Sequence, residues 1–87
     1  MGPMTWDVEK NEWLKLTRGV SFEEIIQSQV IDVIAHPKQP HQKILLFVYE
    51  SYLRAVPFVE SDRGIFLQTA YPSRKFTNIY RRKGWIL

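Results

Sequence analysis

"KILLFVYESYLRAVPFVESDRGIFLQTAY", residues 43–71, is the stretch whose reading decides the fold. Its apolar and β-branched runs are broken at two places by turn-forming residues, the pattern of strands joined by hairpins. Lys43 to Glu50 reads as a strand buried on both faces. A tight turn near Glu50-Ser51 leads to a second, Tyr52 to Glu60. Ser61-Asp62-Arg63-Gly64 supplies another turn, and Ile65 to Tyr71 a further strand. Pro57 has no N–H for a ladder, so it marks an edge, a bulge or a non-pairing position. With Glu60 opposite Ile65, the two-residue period places Arg54, Val56 and Phe58 on one face with Leu67, Thr69 and Tyr71. Arg54 would then neighbour Tyr71 and lie towards Arg74.

Upstream of this sheet the signals are helical. Asp7 is positioned to cap a helix over about 8–18, and Gly19 stands where a left-handed terminating residue belongs. In Val20-Ser21-Phe22-Glu23-Glu24-Ile25, Ser21 and Glu24 have capping-box spacing, and Val20 and Ile25 that of a hydrophobic staple. A helix over about 22–29 follows, then a β-branched strand, Val30 to Ile34. The Pro-rich stretch His36 to His41 must be a loop. Downstream, Pro72 ends the last strand, Ser73 caps a helix over about 74–83 and Gly84 stops it. Thr5 and Trp6 open the chain as a short extended segment. Trp6, Trp13 and Phe22 are expected in the core, and the Trp85-Ile86-Leu87 tail is expected to pack back or be covered by a partner. The order predicts an α+β fold: two N-terminal helices packed on an antiparallel sheet of about four to five strands, with a C-terminal helix. Met1-Gly2-Pro3 resembles a tag remnant, leaving one domain over 4–87.

Composition narrows the chemistry. The 87 residues include no cysteine, which excludes disulfides and thiolate zinc sites and fits a reducing cytoplasm. No apolar run approaches the roughly 18–20 residues of a membrane span. The net charge is only +3, but it is unevenly placed. Residues 74–87 carry Arg74, Lys75, Arg81, Arg82 and Lys83 and no acid, whereas the rest of the chain is mildly acidic. Local potential of this kind steers anionic ligands.

The basic segment divides in two. Arg81, Arg82 and Lys83 near a helix C-terminus read first as complements to its dipole on a solvated tail, with contact to an RNA backbone the second reading. Arg74 and Lys75 sit at the helix start, where that dipole disfavours positive charge, so a site explains them better. Preorganised cations at such a place stabilise negative charge on a bound phosphate group. Arg suits this because its planar fork grips phosphate bidentately. His36 and His41 bracket the Pro-rich loop as exposed residues or as an acid or base, with His41, entering a strand, the better candidate. Arg54 and Tyr71 add a cation and a stacking surface for unpaired RNA. Lys10 and Lys15 read as a polar helix face.

Three phrases, "TWDVEKN", "RGVSFEEI" and "PSRKFTNIYRR", in this order and spacing resemble the BrnT family of bacterial toxins. The matching positions are Trp6, Asp7, Lys10, Gly19 to Glu24, Arg74, Lys75 and Tyr80. Arg18 stands where that family usually has His, and Thr17 where it often has a basic residue. The resemblance implies a RelE-like ribonuclease fold and the toxin half of a type II toxin–antitoxin pair, a cytoplasmic, metal- and cofactor-independent endoribonuclease that cleaves mRNA and arrests translation. Its partner would be a DNA-binding, BrnA-like antitoxin, in a heteromeric complex with an antitoxin dimer. On this reading Arg74, Lys75, His41, Arg54 and Tyr80 are catalytic candidates, and Lys10, Tyr71, Arg81, Arg82 and Lys83 bind RNA. The alternative is a non-catalytic module of the same fold that binds antitoxin or RNA.

Overall fold

A computed structural model of the chain describes residues 3–87. The tag-remnant reading of Met1 and Gly2 lies outside the described residues. The elements run β1 (Met4–Trp6), α1 (Val8–Arg18), α2 (Phe22–Ile26), β2 (Gln29–Ala35), β3 (Lys43–Tyr49), β4 (Tyr52–Ser61), β5 (Gly64–Leu67), β6 (Tyr71–Pro72) and α3 (Arg74–Arg82). The class is α+β, as expected. The sheet, however, is mixed rather than antiparallel, in the order β1-β5-β4-β3-β2 with β6 also on β4. The departure is β1, which pairs parallel to β5 with Met4 opposite Ile65 and Trp6 opposite Leu67. Pro3 takes part in this edge, since its carbonyl accepts from Ile65 N at 2.9 Å.

The caps form where the sequence places them. The Asp7 carboxylate accepts from Glu9 N and Lys10 N, and Gly19 ends α1 at φ 67°. Both bonds of the Ser21–Glu24 capping box are made. α2 is shorter than expected, because the chain must reach the ladder with β3 by Gln29, opposite Val48. Asn11 is buried between the two helices: its Oδ1 accepts from Phe22 N at 2.8 Å and its Nδ2 donates to Glu23. α3 closes in a Schellman motif, with Trp85 N donating to Tyr80 O and Gly84 N to Arg81 O, Gly84 taking φ 95°.

The sheet buries both faces. One carries Leu45, Phe47, Val56, Phe58, Ile65 and Leu67 against Leu14, Phe22 and Ile25 of the first two helices. The other carries Ile44, Leu46, Leu53 and Ala55 against Tyr80, Phe76 and Ile79 of α3. Burying side chains of this size contributes about 1.5–3 kcal/mol each. α3 is tied to the sheet at Leu53, whose N donates to Thr77 Oγ1 (3.0 Å) and whose O accepts from Ser73 N (2.8 Å). Among the described residues no helix is long and apolar enough to cross a membrane.

The strand expected over Ile65–Tyr71 is two pieces, and the break decides the site. Glu60 does pair with Ile65, and Phe58 with Leu67. At the next position Gln68 N donates to Pro57 O at 2.9 Å, but Pro57 has no N–H to return the bond. The ladder fails there. When pairing resumes, Arg54 faces Pro72 and Ala55 faces Tyr71, one residue out of the earlier register. A one-residue slip sends each side chain to the other face. The expected placement of Tyr71 beside Arg54 is therefore overturned: Arg54 shares the α1 face with Pro72, and Tyr71 lies on the α3 face.

The β3–β4 hairpin holds two L-residues in the left-handed region, Glu50 at φ 53° and Ser51 at φ 62°. Each costs roughly 1–2 kcal/mol relative to a residue suited to that conformation. Replacing the pair by Asn-Gly (Glu50→Asn with Ser51→Gly) is expected to raise the urea midpoint, for a gain of about 1–2 kcal/mol. Tyr80 gives a second expectation. Desolvation first, and then its hydrogen bond to Asp32, push its phenol from 10.0 up to about 12. A raised folded-state value contributes stability present below the unfolded pKa and lost as pH rises through the folded one. Stability should fall between pH 10 and about 12, and Tyr80→Phe should flatten that fall in denaturant midpoints measured across the window.

Candidate nucleic-acid interface

Arg54 is an unusual residue for its place. It lies on β4, an interior strand flanked by β3 on one side and β6 on the other, within the run Tyr52-Leu53-Arg54-Ala55-Val56. Charged residues in such positions are normally paired. Among the described residues the ion pairs are Lys15–Glu12 and Lys43–Glu60, both exposed, and neither involves Arg54. The Arg54 Nε is buried with no hydrogen-bond partner, and the guanidinium lies 5.4 Å from the Tyr49 ring centroid. Tyr49 is itself anchored, since its hydroxyl donates to Glu24 Oε2 at 3.0 Å. That bond holds the Glu24 carboxyl below its usual range and raises the Tyr49 phenol.

The guanidinium faces a cleft of about 380 Å³ lined by Trp13, Thr17, Arg18, Arg54 and Pro72. α1 supplies the opposite wall. Trp13, expected in the core, is 40% exposed instead. The reason is spacing: Leu14 and Asn11 point inward, which turns Trp13 outward on the helix. Its ring has the Lys10 ammonium 4.2 Å and the Arg18 guanidinium 5.2 Å from its centroid. Thr17 Oγ1 donates to Trp13 O at 2.7 Å, which fixes the last turn of the helix. The cleft thus combines an indole, two guanidiniums and a nearby ammonium. That set attracts a phosphodiester and offers a face for a base. No histidine or carboxylate lines it.

The other candidates distribute as follows. Lys75 and Tyr71 line a second cleft, on the α3 face, together with His36 and Phe76. Arg74 is exposed at the first turn of α3, between Pro72 of one cleft and Lys75 of the other along the chain, and lines neither. The sheet therefore separates Arg54 from Lys75, and the single hollow expected for these cations is two. His41 is exposed in the turn before β3 and lines neither cleft; His36 is the histidine brought to one. Tyr80 is buried, 6% exposed, with its hydroxyl donating to Asp32 Oδ2 and its ring edge-on to Trp85 at 5.7 Å. It packs α3 onto β2 rather than facing a ligand. Arg81 donates to Ser51 O at 2.9 Å and so clamps the β3–β4 turn. Arg82 and Lys83 are exposed on the helix tail, away from both clefts, and the Lys83 ammonium sits 4.9 Å from the Tyr80 ring centroid.

Three residues were missed. Trp13 could have been found from the α1 register, because Lys10, Trp13 and Thr17 recur at helical neighbour spacing; Arg18 carried no such signal. His36 carried no sequence signal that set it above His41. Among the described residues no three His, Cys, Asp or Glu side chains gather as a metal ion would need. Comparison with family models, with curated proteins and with solved structures returns no match.

His36 Nδ1 accepts from both Lys38 N and Gln39 N, each at 3.1 Å. A nitrogen accepting two N–H groups carries no proton, so the neutral ring holds its proton on Nε2. Long-range ¹H–¹⁵N correlation spectra should show the Nε2–H tautomer for His36; an Nδ1–H pattern would contradict the loop geometry.

Proposed function

We propose that this chain is a metal-independent endoribonuclease of the BrnT-like, RelE-fold toxin kind, with the Arg54 cleft as its reaction site. The observation that carries the reading is Arg54 on an interior strand, its Nε buried without a hydrogen-bond partner and its side chain lining a cation- and indole-bearing cleft. A buried donor left without an acceptor is costly, and a bound anion would supply one. The resemblance of the three sequence phrases to those of BrnT toxins supports the same reading, and Arg18 at the cleft wall stands where those toxins usually have His.

The chemistry follows from the lining. A phosphodiester bridging Arg54 and Arg18 places a flanking base within reach of Trp13. The 2′-oxygen attacks phosphorus and the bond to the 5′-oxygen breaks, leaving a 2′,3′-cyclic phosphate and a 5′-hydroxyl. Water takes the 2′-hydroxyl proton and supplies one to the leaving oxygen. The guanidiniums neutralise charge on the non-bridging oxygens, where preorganised donors lower the barrier most. The cell compartment is the cytoplasm, and the protein partner is an antitoxin covering the cleft.

The second reading, RNA binding without cleavage, is favoured by one observation: no imidazole or carboxylate lines the cleft. Cleavage of a long RNA by the purified chain separates the two. Activity should persist in EDTA, fall about 10²-fold or more in Arg54→Ala and recover only partly in Arg54→Lys, which keeps charge but not the fork. Induction of the wild type should arrest growth, and Arg54→Ala should not. Intact RNA, bound by the wild type but not by Arg54→Ala, would establish the binding reading instead.

A further inference from the structure

We propose that the second cleft, on the α3 face, is a binding site for a single nucleotide unit, with the base against Tyr71 and Phe76 and the phosphate held by Lys38, Lys75 and His36. It stands independently of whether the Arg54 cleft cleaves RNA. The cleft measures about 290 Å³ and is walled by three separate pieces of chain: the loop after β2, the start of β3 and the β6–α3 junction. That volume is at the small end of ligand pockets, about 300–1,000 Å³, and suits one nucleotide rather than a longer segment.

Its chemistry is consistent from wall to wall. Tyr71 and Phe76 supply aromatic surface, and Ile44 closes the floor. Lys38 and Lys75 enter from opposite sides, one on the loop and one on the helix, and no acidic side chain lines the space. Neither lysine is in an ion pair. The Lys75 ammonium is 6.0 Å from the Phe76 ring centroid, so charge and stacking surface are adjacent.

The loop wall is built rather than loose. His36 Nδ1 receives Lys38 N and Gln39 N, while His36 N donates to Gln42 O (3.2 Å) and Gln42 N to Gln39 O (3.0 Å). These bonds fix the backbone that carries Lys38. They also leave Nε2–H as the one free polar group of the imidazole, a donor suited to a phosphate oxygen. An aromatic body joined to an anionic group is the ligand such a lining recognises. It is met in a free nucleoside monophosphate and in a nucleotide of an RNA strand alike.

Titration of the isotope-labelled full chain with uridine 5′-monophosphate tests the assignment. Saturable amide shifts are expected at Lys38, Tyr71, Lys75 and Phe76, with inorganic phosphate weaker at the same residues. Lys38→Ala with Lys75→Ala, both on exposed side chains, should weaken binding about tenfold or more while the rest of the spectrum stays native. An RNA trinucleotide binding tighter than the monophosphate assigns the site to a strand; equal affinity assigns it to the free nucleotide. The proposal is overturned if the monophosphate shifts only Trp13, Arg18 and Arg54, if inorganic phosphate binds equally well, or if polyglutamate occupies the cleft and the monophosphate does not.

Discussion

The missing N–H of Pro57 is the constraint on which the arrangement of this molecule turns. Antiparallel strands exchange bonds in pairs, and a residue that accepts without donating leaves one pair half made. Gln68 makes its bond to Pro57 and the chain then leaves the ladder. It returns one residue out of step, at Tyr71 and Pro72. Because strand side chains alternate, this single slip decides which of two consecutive residues goes to which side: Pro72 to the cleft under α1, Tyr71 to the cleft under α3.

Arg54 shows how the same sheet holds a charge. Its neighbours across the ladder are Phe47 and Pro72, neither of which can accept from it through a side chain. The Tyr49 ring offers the electron-rich face of an aromatic, a partial substitute for a counter-ion. Glu24 stands one step further off, bonded to the Tyr49 hydroxyl rather than to the arginine. The carboxylate thus steadies the platform without neutralising the cation. This relay couples α2 to the cleft, and it rests on the capping box, since the other oxygen of Glu24 bonds Ser21 N and Ser21 Oγ.

Much of the architecture was legible in the sequence because it rests on local chemistry. Asp7, Gly19 and the Ser21–Glu24 box set helix boundaries through bonds made within a few residues. Ser73 and Gly84 did the same for α3, and Ser61 to Gly64 fixed the Glu60–Ile65 register. What escaped depended on partners distant in the chain. Pro57 announced an irregularity, but only the bond with Gln68 shows that the irregularity falls on β5. The outward turn of Trp13 follows from which side of α1 meets Phe22, and that is settled by Asn11 gripping the next helix. His36 was indistinguishable from His41 until the loop folded its ring back on the two following amides. A parallel edge strand of three residues, Met4 to Trp6, carries too little pattern to show its direction.

That edge strand has an entropic consequence. Thr5 Oγ1 reaches the carbonyl of Ile65 across a separation of 60 residues, so the pairing of β1 closes a long loop. The entropy of closing so long a loop must be met before any bond repays it. Of the sheet's pairings, that of β1 with β5 closes the longest loop. Gly64, where an added Cβ would lie 2.4 Å from Pro3 O, is the point at which the returning chain presses closest. The opening segment thus borders the β5 edge of the sheet and joins the two ends of the fold.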